Sequence, residues 1–533
     1  MSLVRKFASV GGATMLSRVL GFAREALMAA ALGAGPFADV FFAAFRFPNL
    51  FRRLFAEGAF NAAFVPLFAR HFEGEGRKDA ERFSTEVFSV LFSALLLLTI
   101  AMELAMPLLV ATVIAPGFAD DADKFDATVT LSMIMFPYLM CMSLAAMMAG
   151  ILNSLQRYFA AAIAPVFLNV ILIAVLGTAL ILGVAEERVA FWMSWGVLAA
   201  GLLQLAIVTI GARSAGIRVT FRMPKLTPNV KRLLVLAGPA AITGGITQIN
   251  LVIGQIIASQ KDGAISVLQY ADRVYQLPLG IVGIAVGVVL LPELARALRG
   301  ERTEEAAHLQ NRSVEFTLAL TLPAAAAILA ISPEIVRLLY QRGAFTPETT
   351  EVVASVLAIF GLGLPAFVLI KCFQPAFFAR EDTRTPMLFS MISVAVNIAL
   401  ALTLFPIFEE RGIATAEIFA GWTNALGLLT MLLLRGHWQP DRLLLRRLPR
   451  LLFAVAVMGV TLWYLSGWTD QWFGTQAFIA KLLTMLLLAA VAFVLYFGLA
   501  YAIGGLDRNE LRQALRRKKE ARPSEETPPD MLA

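Results

Sequence analysis

Six arginines sit in stretches otherwise apolar enough to enter a bilayer. Ser17 to Gly33 reads SRVLGFAREALMAAALG and carries Arg18, Arg24 and Glu25. The following stretch holds Asp39, Arg46, Arg52, Arg53 and Glu57, and a distant one holds Asp272 and Arg273. On insertion scales each arginine at the bilayer centre costs at least ~2.5 kcal/mol, so six facing lipid would cost more than ~15 kcal/mol, beyond the stability of most folds. They must face an interior that holds water, counter-charges or both. The same stretches supply only four carboxylates, Glu25, Asp39, Glu57 and Asp272. Arg53 and Glu57, at i, i+4, can neutralise each other on one helix face. Surplus guanidinium marks an anion site, above all one for phosphates: the guanidinium fork meets phosphate oxygens at two points and keeps its charge at any working pH. A structural ion-pair network is the competing reading.

The elements that must position these charges are membrane-crossing helices. Of 533 residues, 59% are hydrophobic and 16% charged, and the mean hydropathy is +0.74. Apolar runs long enough to cross a hydrocarbon core of roughly 30 Å recur from end to end, without the ten-residue alternation of a barrel. The expected class is therefore an all-α polytopic membrane protein of about fourteen spans, the first at 8–32 and the second at 36–69, with others at 83–114, 127–152, 264–295, 412–434 and 476–504. The N-terminal segment is basic but is broken by Arg18 and Arg24, so a cleaved signal peptide is not expected.

Lys and Arg concentrate in one set of loops, whereas the opposite set holds Lys124, Arg188, Lys261, Arg342 and Arg411. The positive-inside rule then places both termini in the cytoplasm. The net charge of +7 is largely this excess and suits anionic lipid headgroups rather than nucleic acid. Cys141 and Cys372 lie in expected spans and are read as packing residues; His71, His308 and His437 lie in polar loops, which excludes histidine chemistry inside the membrane. No cofactor is expected and no metal site can be read. FAD at Phe37–Asp39 recurs as YAD at Tyr270–Asp272, VPLFAR at Val65–Arg70 as LPELAR at Leu291–Arg296, and, weakly, LQRYFAAAIAP at Leu155–Pro165 as FFAREDTRTP at Phe377–Pro386. Their nearly constant offset implies two homologous halves in one orientation: a six-span N-lobe over 1–212, a basic linker over 213–232, a six-span C-lobe over 233–435, a linker and helix pair over 436–505, and a basic tail over 506–533.

SRVLGFAREALMAAALG, FADVFFAAFRFPNLFRRLFAEGAFNAAFVPLF, YADRVYQLPLGIVGIAVGVVLLPELAR and AREDTRTP together resemble the MurJ (MviN) family, the lipid II flippases of the multidrug/oligosaccharidyl-lipid/polysaccharide exporter superfamily. The resemblance covers essentially the whole chain and implies a MATE-like pair of lobes that alternates between inward-open and outward-open states, with the last two spans forming a groove for a polyprenyl tail. It implies transport of the lipid-linked peptidoglycan precursor across a bacterial inner membrane, in the service of cell-wall biogenesis and cell shape, and no enzyme activity. By matching motif, Arg18, Arg24, Arg52 and Arg273 fall where the family has its cavity arginines and Asp39 where it has an acidic residue. Glu25, Arg53, Glu57 and Asp272 are expected as supporting charges. Some relatives carry Glu where this chain has Gln276. The family further implies dependence on membrane potential or a monovalent cation, and the cell-wall synthesis machinery as a further partner. The nearest rival is a flippase for another polyprenyl-diphosphate-linked glycan. A membrane-embedded glycosyltransferase or phosphatase would need catalytic groups for which only Asp120, Asp121, Asp123 and Asp126 are candidates, and these read as a solvated loop.

Overall fold

The computed structural model describes residues 3–52, 60–300, 302–473 and 478–506, and every regular element among them is helical. In chain order the helices are α1 (Leu3–Leu32), α2 (Pro36–Arg52), α3 (Phe60–Gly74), α4 (Arg77–Leu104), α5 (Met106–Leu109), α6 (Ala122–Met135), α7 (Tyr138–Ser154), α8 (Tyr158–Leu182) and α9 (Glu186–Ser214). They continue as α10 (Pro228–Ala258), α11 (Ala264–Arg299), α12 (Thr303–Leu339), α13 (Pro347–Phe378), α14 (Arg384–Phe408), α15 (Glu410–Leu434), α16 (Arg442–Phe473) and α17 (Phe478–Ala502).

Local chemistry sets their ends. Asp121 accepts the Lys124 amide at 3.1 Å to start α6. Thr227 accepts the Val230 amide at 3.4 Å to start α10, with Pro228 in the first turn, where its missing N–H costs nothing. Glu186 and Glu187 open α9 and Arg213 closes it, each charge opposing the helix dipole. Gly183 ends α8 with φ +62°. Among the described residues ten helical stretches are long and apolar enough to cross a membrane, α6 and α7 counting as one. Of the helices that hold the charges singled out above, α1 is interrupted by Arg18, Arg24 and Glu25, and α2 is only 17 residues long.

The chain divides into two compact units. The first comprises Met1–Val274, Leu339–Val356 and Met391–Ala420. Its core includes Phe64 and Phe68 of α3, Phe83 of α4, Met147 and Ile151 of α7, and Ile217 beyond α9, all at most 2% exposed. Phe60, Phe64 and Phe68 stack at helical i, i+4 spacing, and Phe83 stacks on Phe64 with ring centroids 5.6 Å apart. The second unit comprises Tyr275–Leu338, Leu357–Ser390 and Gly421–Ala533. There Leu451, Ala454, Met458 and Leu462 form one stripe of α16 that packs with Leu488, Tyr496 and Ala500 of α17. The Tyr496 hydroxyl donates to the Ala319 carbonyl of α12 at 2.7 Å. A buried phenol without such an acceptor would be costly, so this bond fixes where the α16–α17 pair rests on α12.

Candidate functional site

Two guanidiniums of the first unit converge on one carboxylate oxygen. Arg24 Nη2 lies 2.6 Å from Glu25 Oε1, and Arg273 Nη2, from α11, lies 2.7 Å from that same atom. Glu25 is 1% exposed, Arg24 11% and Arg273 36%. Glu25 Oε2 and Arg273 Nε are buried with no hydrogen-bond partner among the described residues. One carboxylate between two guanidiniums leaves the trio with one net positive charge, and Arg273 presents part of it at an accessible surface. Buried, unbalanced charge of this kind is stable only beside water or an anion.

Arg24 has a second anchor that the sequence reading passed over. Its Nη1 donates to Asn169 Oδ1 at 3.1 Å, and Asn169 Nδ2 donates to the Ser17 carbonyl at 3.0 Å. Asn169 is 7% exposed in the middle of α8, YFAAAIAPVFLNVILIAVLGTALIL, where it is the one amide in an apolar helix. An amide left in hydrocarbon without partners is costly, and that isolation was the available signal. Opposite it stands Gly21, where an added Cβ would meet the amide at 3.7 Å.

The other expected residues separate from this trio. Arg18 is exposed and makes no ion pair with a described residue. Arg46 Nη2 donates to Gln269 Oε1 at 3.2 Å. It is also within electrostatic reach of Glu417 on α15, which in turn feels Asp272. Glu417 was absent from the sequence reading, although it is the one charged residue between Arg411 and Arg435. Asp39, expected beside the arginines, lies elsewhere. Fully buried, it accepts the Gly263 amide at 2.6 Å and the Ser266 amide at 2.8 Å, capping α11 from α2. Lys124 Nζ stands 3.7 Å from Asp39 and 2.5 Å from Asp262, so a lysine assigned to a loop is in fact buried. Arg52 ends α2; Arg53 and Glu57 lie outside the described residues, and with them the expected i, i+4 pair.

Around the Asp39 cap, backbones approach closely. The Ala344 amide donates to the Ala30 carbonyl at 2.9 Å, and the Tyr270 hydroxyl donates to the Gly33 carbonyl at 2.9 Å. At Gly343, with φ +58°, a Cβ would fall 2.2 Å from the Ala30 oxygen, and at Gly117 one would fall 2.3 Å from the Ser259 oxygen. Only glycine permits both approaches. Lys261 bonds Glu409 and, at 2.8 Å, Glu410. Asp120, Asp121, Asp123 and Asp126 are exposed, and among the described residues no three His, Cys, Asp or Glu side chains converge as metal ligands would.

Known proteins resemble this chain in sequence and in fold. A family model described as "Lipid II flippase MurJ" matches residues 28–485. The chain is similar to the "Probable lipid II flippase MurJ" of Rhizobium meliloti (strain 1021), with 64% identity over 518 residues that cover 97% of each chain. Among solved structures, "Lipid II flippase MurJ, inward closed conformation" superposes with a TM-score of 0.73 at 23% identity, covering 95% of this chain and 99% of that one. An inward-facing MATE family multidrug transporter of the MOP superfamily gives a TM-score of 0.64 at 14% identity, covering 78% of this chain and 93% of its own. Both show the fold.

Proposed function

Since the chain belongs to the lipid II flippase MurJ family, we propose that it carries lipid II from the cytoplasmic to the outer leaflet of the bacterial inner membrane. The family transports its lipid rather than transforming it, so the residues at the site bind and release; they do not catalyse. The reading is carried by the single carboxylate of Glu25 shared between Arg24 and Arg273. A diphosphate supplies the negative charge this trio lacks, and guanidinium donors fit its oxygens. The polyprenyl tail stays in lipid while the charged headgroup crosses.

In this reading residues 1–212 and 233–435 form two six-span lobes of a fourteen-span protein with both termini in the cytoplasm, and the lobes rock about the site. The bonds from Asp39 to Gly263 and Ser266, and from Ala344 to Ala30, join segments of different lobes at the side the loop charges mark as outer. That supports a state closed to the outside, in which the headgroup enters from the cytoplasm. In the same proposal Arg18 and Arg52 bind the headgroup apart from the trio as it crosses, with Arg53, Glu57 and Asp272 as supporting charge. Membrane potential or a monovalent cation drives the cycle, and the cell-wall synthesis machinery takes up the product.

The test is reconstitution with labelled lipid II and leaflet-specific detection. Wild type moves the label, and Arg24→Ala or Arg273→Ala abolishes movement while the protein remains folded in the membrane. Equal movement of lipids that lack the diphosphate defeats the substrate assignment, and efficient movement of another polyprenyl-diphosphate glycan in preference to lipid II favours the rival reading.

A further inference from the structure

The segment between α9 and α10 is strapped along α4 in register. The Arg218 amide donates to Glu81 Oε1 at 3.0 Å, the Thr220 amide to Thr85 Oγ1 at 3.5 Å, and the Arg222 amide to Ser89 Oγ at 2.9 Å. Each step of two linker residues meets a step of four helix residues. Two residues of extended chain span about 6.6 Å and four helical residues about 6 Å, so the two repeats stay matched. Thr227 Oγ1 then donates to Glu86 Oε2 at 2.8 Å. Ile217 is fully buried and Val219 packs on the same core, which pins one side of the strap.

Further along, the strap presents an unusual surface. Phe221, Met223 and Leu226 are 55%, 81% and 62% exposed, and Arg218, Arg222 and Lys225 are exposed among them. Water alone does not favour three large apolar side chains held open on a fixed strap, whereas the boundary between headgroups and acyl chains suits both sets. The strap lies at that depth. Arg77, Lys78, Asp79, Glu81, Arg82 and Glu86 fill the start of α4, and no charge follows from Val87 to Met102. Hydrocarbon therefore begins near Val87, and the Phe221 ring meets Phe92 edge-on with centroids 5.4 Å apart.

We propose that this linker is an interfacial strap that docks the anionic phospholipids of the leaflet it faces, with Phe221, Met223 and Leu226 in the acyl boundary and Arg218, Arg222 and Lys225 on lipid phosphates. Each basic side chain near an anionic leaflet strengthens docking about fivefold. Because the strap bonds use the backbone amides of Arg218 and Arg222, substituting those side chains leaves the strap in place.

A nitroxide on Met223→Cys reads the docking directly, since Cys141 and Cys372 are buried and free. The labelled full chain is placed in vesicles of phosphatidylcholine alone and in vesicles that also hold phosphatidylglycerol. Collisions with oxygen are expected to outweigh those with a water-soluble nickel complex, and phosphatidylglycerol is expected to slow the label. In R218Q/R222Q/K225Q that second response is lost. A label as open to nickel as one in bulk water overturns the proposal, as does an undiminished phosphatidylglycerol response in the triple variant; Leu226→Cys repeats the measurement at a second position. Neither readout depends on transport, so failure here is distinguishable from failure of the flippase reading.

Discussion

In the proposed reading Arg24, Glu25 and Arg273 make the headgroup site because one acidic group cannot satisfy two guanidiniums. A hydrogen bond to a charged group contributes about 1.5–3 kcal/mol, so removing Arg273 should weaken lipid II binding by about 10- to 100-fold. Glu25→Gln keeps the shape of the shared anchor but leaves two like charges facing each other; transport is expected to fail although the protein still inserts. Asn169→Leu fills the same space and removes one of the two holds on Arg24, so lipid II affinity should fall about tenfold, the loss of one such bond. A wild-type titration curve for Asn169→Leu would show that Glu25 alone orients Arg24. The arginines were legible in the sequence because charge in an apolar run is conspicuous. Asn169 and Glu417 are less conspicuous, because neither adds to the surplus of positive charge and the partners that give them meaning lie on other helices.

At the scale of elements, polar side chains fix helix ends that bilayer packing alone would leave loose. Asp39 caps α11 from a different helix. Losing a capping side chain costs about 0.5–2 kcal/mol, and Asp39→Ala also deprives buried Lys124 of a counter-charge. The variant should unfold at a lower temperature in detergent, whereas Asp120→Ala, at an exposed position, should leave the midpoint unchanged. Asp382, in the AREDTRTP stretch, opens α14 by accepting from the Thr385 amide at 3.0 Å and hydroxyl at 2.7 Å, and it pairs with Arg435 at 2.7 Å. Desolvation pushes its carboxyl up, but the Thr385 bonds and Arg435 outweigh it and hold the group at about 2. Its folded value lies below the unfolded value, so its contribution is complete above an unfolded pKa of about 3.9 and fades as pH falls through about 2. Stability measured from pH 5 to 9 should therefore show no step from this group, and Arg435→Ala, which brings the folded value closer to the unfolded one, should start less stable and lose less than wild type on acidification toward pH 2. The sequence placed the helices well, yet it began the third span at 83, whereas α4 begins at Arg77. Charged first turns, as in α4, look like loop to a hydropathy reading, although they are good helix ends.

At the scale of the molecule, a flippase must separate at one side what it holds together at the other. The Ala344 amide lies 2.9 Å from the Ala30 carbonyl, so the pair Ala30→Cys/Ala344→Cys should form a disulfide on mild oxidation, stop transport, and recover when a reductant is added. Transport that continues with the bond formed would show that this seam does not open in the cycle. The sequence by itself determined the class, the membrane residence and the family, because hydropathy, the placement of Lys and Arg, and short motifs are properties of local composition that survive without coordinates. It also named Arg24, Glu25 and Arg273 as members of one charged group. Only the tertiary structure decided that Glu25 is shared, that Asn169 holds Arg24, that Asp39 serves a helix end apart from the arginines, and that the linker lies strapped along α4. Those are pairings between residues far apart in the chain, and a side chain's choice among distant partners is set by packing geometry, which no local pattern records.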